Sequence, residues 1–169
     1  VLLLQKAWPL LVHASPWQLL IGQVWEPHNG LFGFAPFIAG TVAVTFVAMV
    51  LAVVPAVLSG VYVAEYTSAK TRALLKPMLD LLVGIPPVVF GLWGILVVVP
   101  FIRELAAPAL GSTVGHYIPL FAVQNTSGYS VLAAGVVLAI MVFPLIVAVV
   151  DEVMRSTPQE MRESLLSLG

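Results

Sequence analysis

Residues 37–64 read FIAGTVAVTFVAMVLAVVPAVLSGVYVA, without one charged side chain, and the uncharged stretch already begins at Asn29. About 20 apolar residues carry a helix across the hydrocarbon core of a bilayer, so this run is long enough for one tilted span with length to spare. A strand is excluded for it, because an isolated strand leaves its amides unpaired in lipid and a barrel strand needs only about 10 residues of alternating character. Two further runs follow: Leu79 to Ile102, with only Asp80 at its edge, and Tyr129 to Val150, wholly uncharged. The expected fold is an all-α, polytopic transmembrane helix bundle with spans near 37–64, 79–102 and 129–150. Val1 to Leu4 reads as the last turn of an earlier span and Gly169 as lying inside a continuing motif, so the bundle is expected to be truncated.

Composition narrows the classes further. Hydrophobic residues make up 60% of the 169 and charged ones 9%, where soluble domains sit nearer a quarter charged. The net charge of −1 offers no basic field for nucleic acid, and the absence of cysteine excludes disulfides, thiolate zinc sites and cysteine nucleophiles. The basic residues divide unevenly: Lys70, Arg72, Lys76, Arg155 and Arg162 on one side of the expected spans, Lys6 and Arg103 on the other. The positive-inside rule then puts the 65–76 loop and the C-terminal tail in the cytoplasm, with 5–33 and 103–128 outside. Trp8, Trp17 and Trp25 fall in the outer stretch, where indoles favour the headgroup region.

The tail holds the sharpest local signal. Thr157-Pro158-Gln159-Glu160 has a hydroxyl at an N-cap, proline at the first helical position and Glu three residues after the cap, a capping-box start. In the helix it opens, Met161, Leu165 and Leu168 recur at spacings of four and three, while Glu160, Glu163, Ser164 and Ser167 take another face. Too short to span and acidic where a membrane-surface helix would carry Lys and Arg, it reads as a ridge that docks into a partner's groove.

That segment, Pro158-Gln159-Glu160-Met161-Arg162-Glu163-Ser164-Leu165-Leu166-Ser167-Leu168-Gly169, resembles the first half of the EAA loop, the cytoplasmic signature of permease subunits in ABC importers. Glu163 and Gly169 match its fixed Glu and Gly, whereas Ser164-Leu165 stands where Ala-Ala is usual. Leu81 to Gly94, with Gly84-Ile85-Pro86 and then Gly91-Leu92-Trp93-Gly94, is similar to the phosphate-specific Pst permeases of the C-subunit type. Weaker echoes occur at Pro36 to Tyr66 and at Ile140 to Pro144.

The resemblance implies a type I ABC importer permease fold in a bacterial inner membrane, translocating inorganic phosphate. It also implies a second, PstA-like permease subunit, cytoplasmic PstB-like ATPase subunits, a PstS-like extracytoplasmic phosphate-binding protein, surrounding membrane lipid and no cofactor. Glu160, Met161, Arg162, Glu163, Leu165 and Gly169 are then the candidates for coupling to the ATPase. A permease for another oxyanion, such as sulfate or molybdate, or for a different solute is the alternative, because the EAA spacing is shared widely.

Chemistry is not expected of the chain itself. It contains no Gly-x-x-x-x-Gly-Lys-Ser/Thr phosphate loop, so ATP hydrolysis would fall to a partner. An intramembrane hydrolase would need a base beside Ser59, Thr41 or Thr45, yet His13, His28 and His116 all lie outside the spans and lack metal-ligand spacing. Gly84, Pro86 and Pro87 should kink or unwind the second span, as in the broken helices of transporter sites, though a packing kink reads equally well. Asp80, four residues after Lys76, is expected in the first turn of that span, where the helix dipole favours a carboxylate. Gly91 and Gly94 are expected to permit close helix contact.

Overall fold

The computed structural model describes residues 15–106 and 127–156, with a few single positions elsewhere. The chain divides into two compact units, 1–43 and 44–169.

In the first unit, helix α1 (Pro16–Ile21) starts behind Ser15 with proline at its opening, a position where a missing N–H costs nothing. A short hairpin follows, β1 (Trp25–Glu26) against β2 (Leu31–Phe32), antiparallel with Trp25 opposite Phe32 and Glu26 opposite Leu31. Its reversal ends on Gly30 at φ 70°, which a residue without Cβ adopts freely. The Phe34 amide donates to the Leu19 carbonyl at 2.8 Å and the Ala35 amide to Gly22 at 3.1 Å, fastening the hairpin to α1. Trp25 lies among Phe32, Phe34 and Phe37, with ring centroids 5.7, 5.3 and 5.5 Å away. Its indole remains 42% exposed.

Helix α2 (Ala35–Glu65) passes from the first unit into the second, which also holds α3 (Ala69–Val83), α4 (Pro87–Ala106) and α5 (Val131–Ser156). Of these, α2, α4 and α5 are long and apolar enough to cross a membrane. Proline interrupts α2 at Pro55 without ending it. Nearby, Ser59 Oγ donates back to the Pro55 carbonyl at 2.7 Å, keeping the hydroxyl satisfied within the helix.

Lipid gives no hydrophobic drive for helices to meet, so close contact depends on small residues. Ala48, Ala52, Ala56 and Gly60 recur every four positions along α2 and are all buried. Ala48 and Ala52 cluster with Ala139 of α5, against Leu138 and Ile146. A Cβ on Gly135 would lie 2.4 Å from Val47, and one on Gly60 would lie 2.6 Å from Val150. Low numbers on α2 meet low numbers on α5, and high meet high, so the two helices run parallel. Against α5 the other neighbour, α4, is antiparallel: Gly94 approaches Val137, while Val98 and Ile102 cluster with Ala133. Two π-helical turns, Gly94–Val98 and Ile102–Ala106, carry this contact.

The second apolar run is divided where one span over 79–102 was expected. Residues 79–83 complete α3, whose C-terminus is closed by the Gly84 amide donating to the Asp80 carbonyl at 3.0 Å and the Ile85 amide donating to the Leu82 carbonyl at 3.3 Å. Pro86 and Pro87 have no N–H to extend that ladder, and each disfavours helical geometry in the residue before it. Pro87 instead takes the first position of α4. Asp80 therefore sits in the last turn of a helix, not the first, where the dipole opposes a carboxylate; the reason offered for it from the sequence does not hold. Nor is 65–76 mostly loop: Ser68 accepts the Thr71 amide at 3.2 Å and starts α3 there. At the other end, α5 continues past Val150 to Ser156. Gly94 makes the close contact foreseen for it, but a Cβ on Gly91 would touch nothing within 4 Å.

Candidate functional site

Because α2 and α5 are parallel, their C-terminal ends emerge together, and α3 begins at the same end. Every helix leaves its last carbonyls without intrahelical partners. Those of α2 are met by Arg72, in the first turn of α3. Its Nε and Nη2 donate to the Val63 carbonyl at 3.1 and 2.6 Å, and Nη2 also donates to Ala64. The guanidinium thus brings a fixed positive charge to the negative end of the α2 dipole. The Ser68 cap sets the register that makes this reach possible.

Facing Arg72 from α5 is Asp151. Its Oδ1 lies 3.9 Å from Nε, and the two side chains are 15% and 10% exposed. That separation is an ion pair without a hydrogen bond, and among the described residues Oδ1 is a buried oxygen with no hydrogen-bond partner. Asp151 ends the stripe of buried α5 residues that includes Ala139, Pro144 and Val147. One arginine therefore joins three helices: it belongs to α3, closes α2 and neutralises an acid of α5. A buried pair of this kind adds little net stability, but loss of one partner strands the other charge at about 3–5 kcal/mol.

Beside the junction lie two hollows. A small one of about 50 Å³ is bounded by Val63, Lys76, Leu79, Asp80, Ala148, Asp151 and Glu152. An open groove of about 380 Å³ runs between α3 and α5 and is bordered by Arg72, Lys76, Asp80 and Arg155 over Ala69, Ala73 and Pro77.

Gly84, Pro86 and Pro87 form the break between α3 and α4. Glu160, Met161, Arg162, Glu163, Leu165 and Gly169 lie outside the described residues, as do His13 and His116. His28 occupies a surface turn, and among the described residues no group of three His, Cys, Asp or Glu side chains is placed to hold a metal. The Arg72–Asp151 pair escapes a reading by hydropathy and charge, which ends a span at Val150 and uses Arg72 only to set topology. The available signal was spacing: Asp151 follows Val147 by four positions and stays on the buried face.

Residues 56–169, which contain the junction and the whole of α3, α4 and α5, match the family described as binding-protein-dependent transport system inner membrane component. The chain belongs to that family. It is a membrane permease component. Among curated relatives, it is 32% identical over 148 residues to the phosphate transport system permease protein PstC of Xylella fastidiosa, covering 86% of this chain and 45% of the relative. A probable ABC transporter permease protein, YqgH of Bacillus subtilis, is 31% identical over 157 residues, with 92% and 45% covered. The probable PstC of Methanocaldococcus jannaschii is 30% identical over 155 residues, with 89% and 49% covered. The permease chain thus spans about half the length of the curated relatives it matches. No solved structure matches it.

Proposed function

We propose that this chain is part of the membrane-spanning permease subunit of an ATP-driven importer, and that the solute is inorganic phosphate. The observation that carries the reading is likeness to PstC permeases across more than four fifths of the chain. In this reading the α3 start and the residues after Ser156 face the cytoplasm, where the basic residues concentrate. ATP hydrolysis falls to partner ATPase subunits, solute delivery to an extracytoplasmic binding protein, and a second permease subunit completes the pathway.

Mechanically, Glu160, Met161, Arg162, Glu163, Leu165 and Gly169, in the segment that follows α5 in the sequence, are the contacts with the ATPase. Force applied there enters α5 within a turn or two of Asp151. Through Arg72 it reaches the last carbonyls of α2, so α2, α3 and α5 move as a group. The break at Gly84, Pro86 and Pro87 uncouples α3 from α4 along the chain, leaving α4 tied to the group through its packing on α5, and the assembly rocks as a unit, a rigid-body form of alternating access.

The test is ATP-driven uptake of radiolabelled phosphate in proteoliposomes holding the full-length permease with its partner subunits. Uptake is expected to require the binding protein and to collapse in a Glu163→Lys, Gly169→Asp double variant. ATP-driven uptake of sulfate in place of phosphate would overturn the substrate, and no association with any ATPase would overturn the importer.

A further inference from the structure

The groove between α3 and α5 has a charge and a setting that the transport reading does not use. Three cationic side chains border it, Arg72, Lys76 and Arg155, against one acid, Asp80. Arg72 is already engaged by Asp151, but among the described residues neither Lys76 nor Arg155 makes an ion pair, and both are exposed. The floor is low, since Ala69, Ala73 and Pro77 recur every four positions on α3. A small anionic group can therefore descend between the cations as far as the helix backbone.

Next to the groove, α3 turns an apolar face outward. Leu74, Met78 and Leu81 are 66%, 52% and 74% exposed, and α3 buries no residue fully. At about 100° per residue this stripe lies roughly a third of a turn beyond the small-residue floor. Leu75 and Leu79, on the opposite flank, are the half-covered ones. From one side to the other α3 thus presents a packed flank, a cationic groove and a bare apolar strip. A free inorganic anion would use the groove alone; a phospholipid would use the groove for its headgroup and the strip for its acyl chains.

We infer that the Lys76–Arg155 groove is a binding site for the headgroup of an anionic phospholipid, whose acyl chains lie along Leu74, Met78 and Leu81. Basic pockets between helices where a bundle leaves the membrane take such headgroups, and each cation near an anionic lipid surface changes affinity about five-fold. The site does not depend on the identity of the transported solute. Only its placement in the cytoplasmic leaflet rests on the orientation proposed above.

The full-length permease in its complex, reconstituted in nanodiscs of phosphatidylcholine with about one lipid in five replaced by phosphatidylglycerol, is extracted and its retained lipid weighed by native mass spectrometry. Phosphatidylglycerol should be retained over phosphatidylcholine by the wild type. Retention should fall about ten- to thirty-fold in Lys76→Gln, Arg155→Gln, persist in Lys76→Arg, Arg155→Lys, and be unchanged in Lys70→Gln, whose residue is on α3 but outside the groove. Leu74→Ser, Leu81→Ser should weaken lipid retention as well. No preference for phosphatidylglycerol in the wild type would overturn the site whatever the variants do. Equal retention in the Gln variant would also overturn it. Displacement of the lipid by millimolar inorganic phosphate would mark a free-anion site instead, and loss of ATPase association with lipid retention intact would mark a protein contact.

Discussion

Helix α5 meets α2 in two ways along one interface. Over most of its length the contact is made by Ala48, Ala52, Gly60, Gly135 and Ala139, with backbones so close that a methyl group added at either glycine would overlap a valine. At its end the helices are joined through Arg72 of a third helix and a buried carboxylate. The first contact needs only shape, which is cheap to satisfy in lipid and costly to alter. The second needs charge, and it holds only while both partners are present. A permease must keep its helices together yet pass movement among them, and in the mechanism proposed above the two kinds of contact divide those tasks.

The comparison can be broken most severely at the charged end. Arg72→Met should destabilise the full-length protein by about 3–5 kcal/mol, because it strands Asp151 and leaves two carbonyls uncapped. Denaturant titration of the purified protein would register it, and the paired Arg72→Met, Asp151→Leu change should recover most of that loss. Stability recovered together with full transport would contradict the mechanical role given to the pair. In the small-residue region, Gly135→Val drives a side chain into Val47 and should cost about 1–3 kcal/mol. Its signature is separation of the helices, measurable as a longer distance between spin labels on α2 and α5.

Smaller effects sharpen the contrast. Ser68→Ala removes the cap that aims Arg72 and should cost about 1 kcal/mol, with hydrogen exchange accelerated in the first turn of α3. Gly91→Ala, on the same helix as Gly94 but with no neighbour within 4 Å, should shift stability by less than about 1 kcal/mol in either direction. A large loss there would show that α4 has a further contact at that point.

What was legible in the sequence follows from what lipid demands of a chain. Three apolar helices could be read because only a continuous uncharged run can cross, and the aromatic surroundings of Trp25 fit the same logic. Boundaries were harder. The run 79–102 is apolar throughout its length, so hydropathy alone does not say that residues 79–83 finish one helix and Pro87 begins another. The proline pair announced a disturbance, and Gly84 closing α3 makes it a full stop. Asp80 was misjudged for the same reason, since its place within a helix depends on which helix owns it. The Arg72 junction is legible only in three dimensions, because Val63, Arg72 and Asp151 come from three separate elements. The segment after Ser156, which supplied part of the family resemblance, lies outside the described residues.

The parallel course of α2 and α5 has an electrical consequence. Two helix dipoles point the same way, each equivalent to about half a negative charge at its C-terminus, and both negative poles lie at the end that carries Arg72, Lys76 and Arg155. During biogenesis, cations retained on one side of the bilayer fix how a hairpin of helices inserts. Here the same cations also neutralise the poles of the finished pair. An inverted insertion would have to drag Arg72 and Arg155 across the hydrocarbon, and moving them elsewhere on the chain would leave both poles uncompensated, so the direction in which this bundle threads into a membrane is written twice in the same few residues.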